Sequence, residues 1–327
     1  MNNGWQVSLT NQSAEPITVT PYAVCTKPNN VPAHALTGYW QNWNLAATAP
    51  RQPLGEVTDQ FDIIAVAFAT PTSNPGEVDF ALVSDGIPGY TETDFKRDIT
   101  EKKAAGKSVI LSVGGEGGTL RIDTAEGANN FAHSAYELMQ EYGFNGIDID
   151  LENRDFLNST YLTSALRQLS QLAGPSLVLT MAPQGVDVRS TSEVYMRTAL
   201  DVEDILTVMN VQLYNLGSEF GCNGQVYEPP SIDFLVGVTC KVIDFGLDPS
   251  KVGLGLPATP EAGGDYLPPA DVNRALSCLT SHTNCATFVP PAKYPTLRGA
   301  MTWSTDWDNK ANHLWSNTVG PVVHSLP

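Results

Sequence analysis

From position 35 onward, short apolar runs alternate with longer stretches in which apolar residues recur every three or four positions. Runs rich in aliphatic and β-branched residues, bounded by Gly, Pro and Asn, predict strands at 36–40, 63–68, 108–113, 146–150, 177–182, 206–213, 252–256 and 299–303. The helical period is clearest over 126–142, where Phe131, Ala135, Leu138, Met139 and Tyr142 share a face. It recurs over 161–172 through Leu162, Leu166 and Leu169. Such alternation is the signature of a parallel α/β sheet. Eight strands predict a closed (β/α)8 TIM barrel, in which functional groups gather at the C-terminal strand ends. A doubly wound sheet would need fewer strands, and no Gly-x-Gly-x-x-Gly turn follows the first strand.

One strand departs from simple apolar patterning. In Asn145-Gly-Ile-Asp-Ile-Asp-Leu-Glu152, three acids alternate with three aliphatic residues. Asp148, Asp150 and Glu152 therefore share one face, about 7 Å apart along the strand, and Ile147, Ile149 and Leu151 share the other. Crowded like charges raise at least one carboxyl pKa, which suits a general acid working near neutrality. A wetted polar strand face and a three-carboxylate metal site are the alternatives at this point.

The pattern resembles the Asp-x-x-Asp-x-Asp-x-Glu signature of family 18 glycoside hydrolases, the chitinases, at three of its four acids. Asn145 stands where the family has Asp; it is expected to hydrogen-bond Asp148 without being able to ionise. The resemblance implies that Glu152 is the catalytic acid, Asp150 its partner and Asp148 part of their support. It extends over about residues 35–320 and is nearest the compact bacterial members. In larger members an α+β domain lies between strands seven and eight. Here only about 40 residues separate Leu256 from Gly299, with a helix near 271–279, so that insertion is absent.

The remaining strand ends fit the same resemblance. Strand three ends in Ser112-Val-Gly-Gly115, similar to the family's Ser-x-Gly-Gly, where small residues let backbones approach the acidic strand. Strand five ends in Thr180-Met-Ala-Pro183, strand six in Met209-Asn-Val-Gln-Leu-Tyr-Asn215 and strand eight in Met301-Thr-Trp-Ser304. Aromatic rings stack on the apolar faces of sugars, and a tyrosine adds a hydrogen bond. By the resemblance, Trp303 floors the cleavage-site sugar and Tyr214 binds its acetamido group beside Asp150. Gln212 and Asn215 add polar contacts there. Met181 and Met209 are expected beside these aromatics, and Tyr39, Trp40 and Trp43 are expected to extend the sugar platform.

Composition narrows the partners. A net charge of −17 argues against nucleic acid, which needs a basic surface, and is indifferent to a neutral glycan. No apolar run approaches the roughly 20 residues that span a bilayer. The five histidines, His34, His133, His282, His313 and His324, fall away from the strand ends, which weakens a serine-hydrolase or zinc reading. No Walker-type phosphate loop is present. Cysteine spacing matches no zinc pattern; local disulfides Cys222–Cys240 and Cys278–Cys285 are expected, with Cys25 left over, in an oxidising compartment. Residues 1–30 hold two strand-like stretches, 5–10 and 17–24, read as an arm or the remnant of an upstream module, followed by a linker at 27–32. The catalytic barrel then covers 31–327. The start lacks signal-peptide regions, so either a signal was removed or the chain is a piece of a longer secreted protein.

The reading is therefore a secreted, monomeric endo-acting chitinase that needs no cofactor and takes chitin or chito-oligosaccharides. Its rivals are an endo-β-N-acetylglucosaminidase acting on glycoproteins, and a non-catalytic chitin-binding lectin-like barrel.

Overall fold

The computed structural model describes residues 29–43, 49–83, 85–153 and 157–327. The strand-like stretches at 5–10 and 17–24, and Cys25, lie outside the described residues.

Eight parallel strands close on themselves. They are β1 (Ala35–Gln41), β2 (Ile63–Pro71), β3 (Ser108–Gly115), β4 (Gly146–Leu151), β5 (Val178–Met181), β6 (Val208–Gln212), β7 (Val252–Pro257) and β8 (Gly299–Trp303). Each pairs with its neighbours in chain order, and β8 pairs with β1 to complete the barrel. The predicted strands are all present. Seven of them are followed by helices: α1 (Glu92–Ala104), α2 (Ala125–Tyr142), α3 (Ser159–Ala173), α4 (Val194–Asp201), α5 (Ile232–Asp244) and α6 (Pro269–Ser281), then α7 (Thr305–Lys310) and α8 (Leu314–Val323) after β8. After β1, the described residues contain only the short 3-10 turn Leu54–Glu56.

Helix ends follow local chemistry. Thr91 and Asp94 cap α1 reciprocally, Thr124 accepts from Gly127 N–H at the start of α2, and Asn158 accepts from Thr160 N–H ahead of α3.

Strand parity sorts the core into two layers. Leu36, Trp40, Ile64, Val66, Ile147, Ile149, Leu179, Met181, Met209 and Leu254 point outward into the layer shared with the helices. Ala35, Tyr39, Ile63, Ala65, Ala67, Ile110, Val178, Ala182, Val208 and Met301 fill the barrel interior. Small residues in that inner set leave room for polar side chains above them.

The segment between β7 and β8 carries α6 and the disulfide Cys278–Cys285, and contains no strand. No α+β domain is inserted there. Cys222–Cys240 joins the loop after β6 to α5, so both expected bridges are present. At the opposite end of the barrel, Asn29 Nδ2 donates to Leu177 O at 3.1 Å, and Arg298 donates to Pro32 O at 2.6 Å. The described part of the stretch read as a linker is thus fastened to the barrel floor.

Candidate active site

β4 sits between β3 and β5 with Asp148 level with Ser112 on one side and Thr180 on the other. That register delivers three hydroxyls to one carboxylate. Tyr39 and Ser112 each donate to Asp148 Oδ2 at 2.6 Å, and Thr180 donates to Oδ1 at 2.5 Å. Burial raises the Asp148 pKa above its ordinary value even though these donors oppose the rise. Gly114 makes room for the next acid: at φ +121°, a Cβ there would lie 2.2 Å from Asp150 O.

Asp150 is 3% exposed and accepts from Gln212 Nε2 at 2.9 Å. Burial, then the charges of Asp148 and Glu152, push its pKa well above the usual carboxylate range. Glu152 lies past the end of β4, half-buried, with Gln184 Nε2 donating to its Oε2 at 3.0 Å. Its pKa is raised mainly by burial, with Glu116 and Asp187 adding negative charge nearby. Three acids thus form a row that becomes wetter towards its end and retains protons that free carboxyls would have lost. Buried Tyr214 keeps its hydroxyl proton far into alkali, because burial and the charges of Asp150 and Glu152 disfavour a phenolate.

A cavity of about 510 Å³ opens over this row, lined on the acidic side by Asp150, Glu152, Glu116, Gln184, Gln212, Tyr214 and Asn215. Trp303, Phe68 and Trp43 form its apolar wall. Phe68 and Trp303 stack at 5.9 Å between centroids and 11° between planes, and Trp43 stacks on both. An amphipathic ring with one flat apolar face and polar edges matches this division of the cavity. No histidine lines it.

Several expected positions are corrected. Met181 and Met209 are buried in the outer layer, because the two-residue strand period puts them opposite Ala182 and Gln212. Trp40 likewise faces outward, stacking on Phe95 with the Arg51 guanidinium 4.8 Å from its ring centroid. Tyr39 does point inward, but beneath the cavity, where its hydroxyl serves Asp148 and is only 2% exposed. Asn145 does not reach Asp148. Its Oδ1 accepts from Val109 N–H at 3.0 Å at the start of β4, on the opposite side of the strand alternation. The structure brings together Asp148, Asp150, Glu152, Gln212, Tyr214, Asn215, Trp303 and Trp43 as expected. It adds Phe68 and Glu116, and gives a place in the lining to Gln184, the residue just beyond strand five. Phe68 lies in the C-terminal half of β2 and Glu116 directly follows β3, so nearness to C-terminal strand ends is the available signal.

The sequence profile of the glycosyl hydrolases family 18 matches residues 35–319. A protein of Arthroderma benhamiae assigned as a class II chitinase is 32% identical, the match covering 86% of this chain and 98% of that protein. Exochitinase 1 of Streptomyces olivaceoviridis is 31% identical over 85% of this chain but only 54% of its own length, so the chain spans about half of that relative. A crystal structure from Streptomyces coelicolor assigned as a chitinase A is 55% identical, with a TM-score of 0.87, covering 90% of this chain and 99% of that one. With its acidic strand, its aromatic wall and these matches, the chain belongs to glycosyl hydrolase family 18 and is a glycoside hydrolase.

Proposed function

We propose that this enzyme cleaves β-1,4 bonds between N-acetylglucosamine units of chitin or chito-oligosaccharides, internally, with retention and with help from the substrate. The observation that carries this reading is the pairing of half-buried Glu152 with fully buried, charge-crowded Asp150 in one cavity with Tyr214 and Trp303. The chitinase names of the relatives support the substrate class.

In this mechanism the Glu152 carboxyl gives its proton to the glycosidic oxygen as the C1–O bond breaks. The acetamido carbonyl oxygen of the same sugar attacks C1, closing an oxazolinium ring, so no enzyme nucleophile is required. Asp150 stabilises the cation that develops on the acetamido group, and the Tyr214 hydroxyl orients it. Glu152, now a carboxylate, takes a proton from water whose oxygen attacks C1 and reopens the ring. Attack twice from opposite faces retains configuration. Trp303 supplies the floor for that sugar.

Internal cutting is supported by the short β7–β8 connection, which adds no domain beside the cavity. The exochitinase name of the Streptomyces olivaceoviridis relative points the other way. Two disulfides support action in an oxidising, extracellular setting.

Proton NMR during the first turnovers tests the mechanism. The new reducing end is expected as the β-anomer, and an initial α-anomer excludes it. Viscosity of a soluble chitin derivative is expected to fall before much reducing sugar appears; dimers released at constant viscosity would mean end-directed action. Digestion of colloidal chitin beside an N-glycoprotein separates chitin from glycoprotein as the substrate.

A further inference from the structure

Gln184 stands where β5 gives way to a short 3-10 turn, Gly185–Val188. Its backbone is fixed from two directions. Asp187 Oδ2 accepts from Gln184 N–H at 3.0 Å while Asp187 N–H donates to Gln184 O at 2.9 Å. On the other side, Gln184 pairs with Gln212 of β6, and Gln212 N–H donates to Pro183 O at 2.9 Å. Past the turn, Arg189 donates through Nε to Glu219 at 2.8 Å, and Lys241 of α5 approaches the same buried carboxylate at 3.6 Å. The turn is therefore anchored at both ends, and it brings the Gln184 amide to the acid row, with Nε2 3.0 Å from Glu152 Oε2.

We propose that Gln184 is a positioning residue for the catalytic acid. By donating to Oε2, it selects one carboxyl rotamer and leaves Oε1 to carry the transferable proton. This rests on the reading of Glu152 as the acid. An amide donor prefers the more basic carbonyl oxygen of a protonated carboxyl, so the acidic hydrogen is directed away from Gln184. After the proton leaves, the same donor stabilises the carboxylate, which eases the first step and moderates the pKa in the second. The other titratable groups facing Glu152 are Asp150 on its own strand, Glu116 after β3, Asp187 in the turn and Tyr214 after β6, with Asp148 one step further down the row beside Asp150. The carboxyls are potential anions that favour the protonated state; two neutral amides oppose them, Gln212 electrostatically and Gln184 by its direct hydrogen bond.

The test uses the full chain and a defined chito-oligosaccharide, with Gln184→Met and Gln184→Lys. Met preserves length but has no donor; kcat is expected to fall by about tenfold, with KM within about twofold of wild type. The alkaline limb of the kcat profile should move to higher pH, because a donor to the charged form has been lost. Lys places a cationic donor at the same spot, so the limb should move to lower pH. A purely structural role would move neither limb. An unmoved limb in both variants overturns the proposal, as does a raised KM with unchanged kcat, which would make Gln184 a sugar contact. Glu152→Gln is measured in parallel. If it retains activity within tenfold of wild type, the acid assignment itself fails; if it is inactive while both Gln184 variants match wild type, only the positioning role fails.

Discussion

Gln212 donates from Nε2 to Asp150 Oδ1 at 2.9 Å and from the same nitrogen to Ala182 O at 2.9 Å. The amide is thus held by backbone on one side and holds the acid on the other. This is how a carboxyl surrounded by other acids keeps a single orientation beneath the cavity.

Asp150→Asn is expected to lower kcat by about 10²- to 10³-fold, the range for losing one preorganised electrostatic contact. A neutral amide carries no negative charge to stabilise a developing cation, even though its Oδ1 can still accept from Gln212. Steady-state kinetics on a chito-oligosaccharide measure this, with KM changing less than kcat. Wild-type kcat would remove Asp150 from the chemistry.

Glu116 is exposed at the cavity mouth and contributes to the raised pKa of Glu152. Removing its negative charge lowers that pKa, so Glu116→Gln should bring the alkaline limb of the activity profile to lower pH. Because the interaction passes partly through water, the displacement should shrink as salt is added. An upward displacement would mean that Glu116 does not act on Glu152 as a nearby negative charge.

Asn145→Asp should leave the activity profile where it is. Three residues of strand place position 145 about 10 Å before Asp148, and a carboxylate there still accepts from Val109 N–H. A measurable displacement of either limb would mean charge at the barrel floor reaches the acid row.

Asp306 is fully buried and accepts from Gln41 N–H at 3.0 Å and Gln52 N–H at 3.2 Å. Burial raises its pKa from 3.8 to about 7 despite these donors. With the folded value above the unfolded one, its contribution to stability is full below the unfolded pKa and is lost as pH rises through about 7. Asp306→Asn removes this titration and leaves one backbone N–H without its acceptor. The variant should melt lower at about pH 5, yet lose less melting temperature than wild type between about pH 5 and pH 8. Equal slopes would show that Asp306 does not titrate in that window.

The barrel was readable because each strand keeps its period over several residues, and β4 keeps it most strictly. Parity alone separates Gln212 and Tyr214 from Met209, and Tyr39 from Trp40, whereas proximity to a strand end groups all of them together. Phe68 illustrates the opposite difficulty. By alternation with Ile63, Ala65 and Ala67 it should face outward, but the β2–β3 register shifts between Ala67 and Ala69, and the ring turns into the cavity. Gln184 is legible only as the residue just beyond strand five. Its direction comes from a turn whose partners, Asp187, Glu219 and Lys241, are dispersed along the chain.

The alternation in β4 has a consequence for which changes this enzyme can survive. Ile147, Ile149 and Leu151 can be exchanged for other aliphatic residues, since the outer layer asks chiefly for apolar volume. Chain length has no such latitude. Deleting one residue within Gly146–Leu151, with neighbouring strand pairing preserved, reverses the faces of everything beyond it. Carboxylates would enter the oily layer under the helices and aliphatic groups would project towards the sugar, so a single error would remove the catalyst and the core together. The aliphatic positions of this strand therefore tolerate exchange, whereas its acids and its count do not.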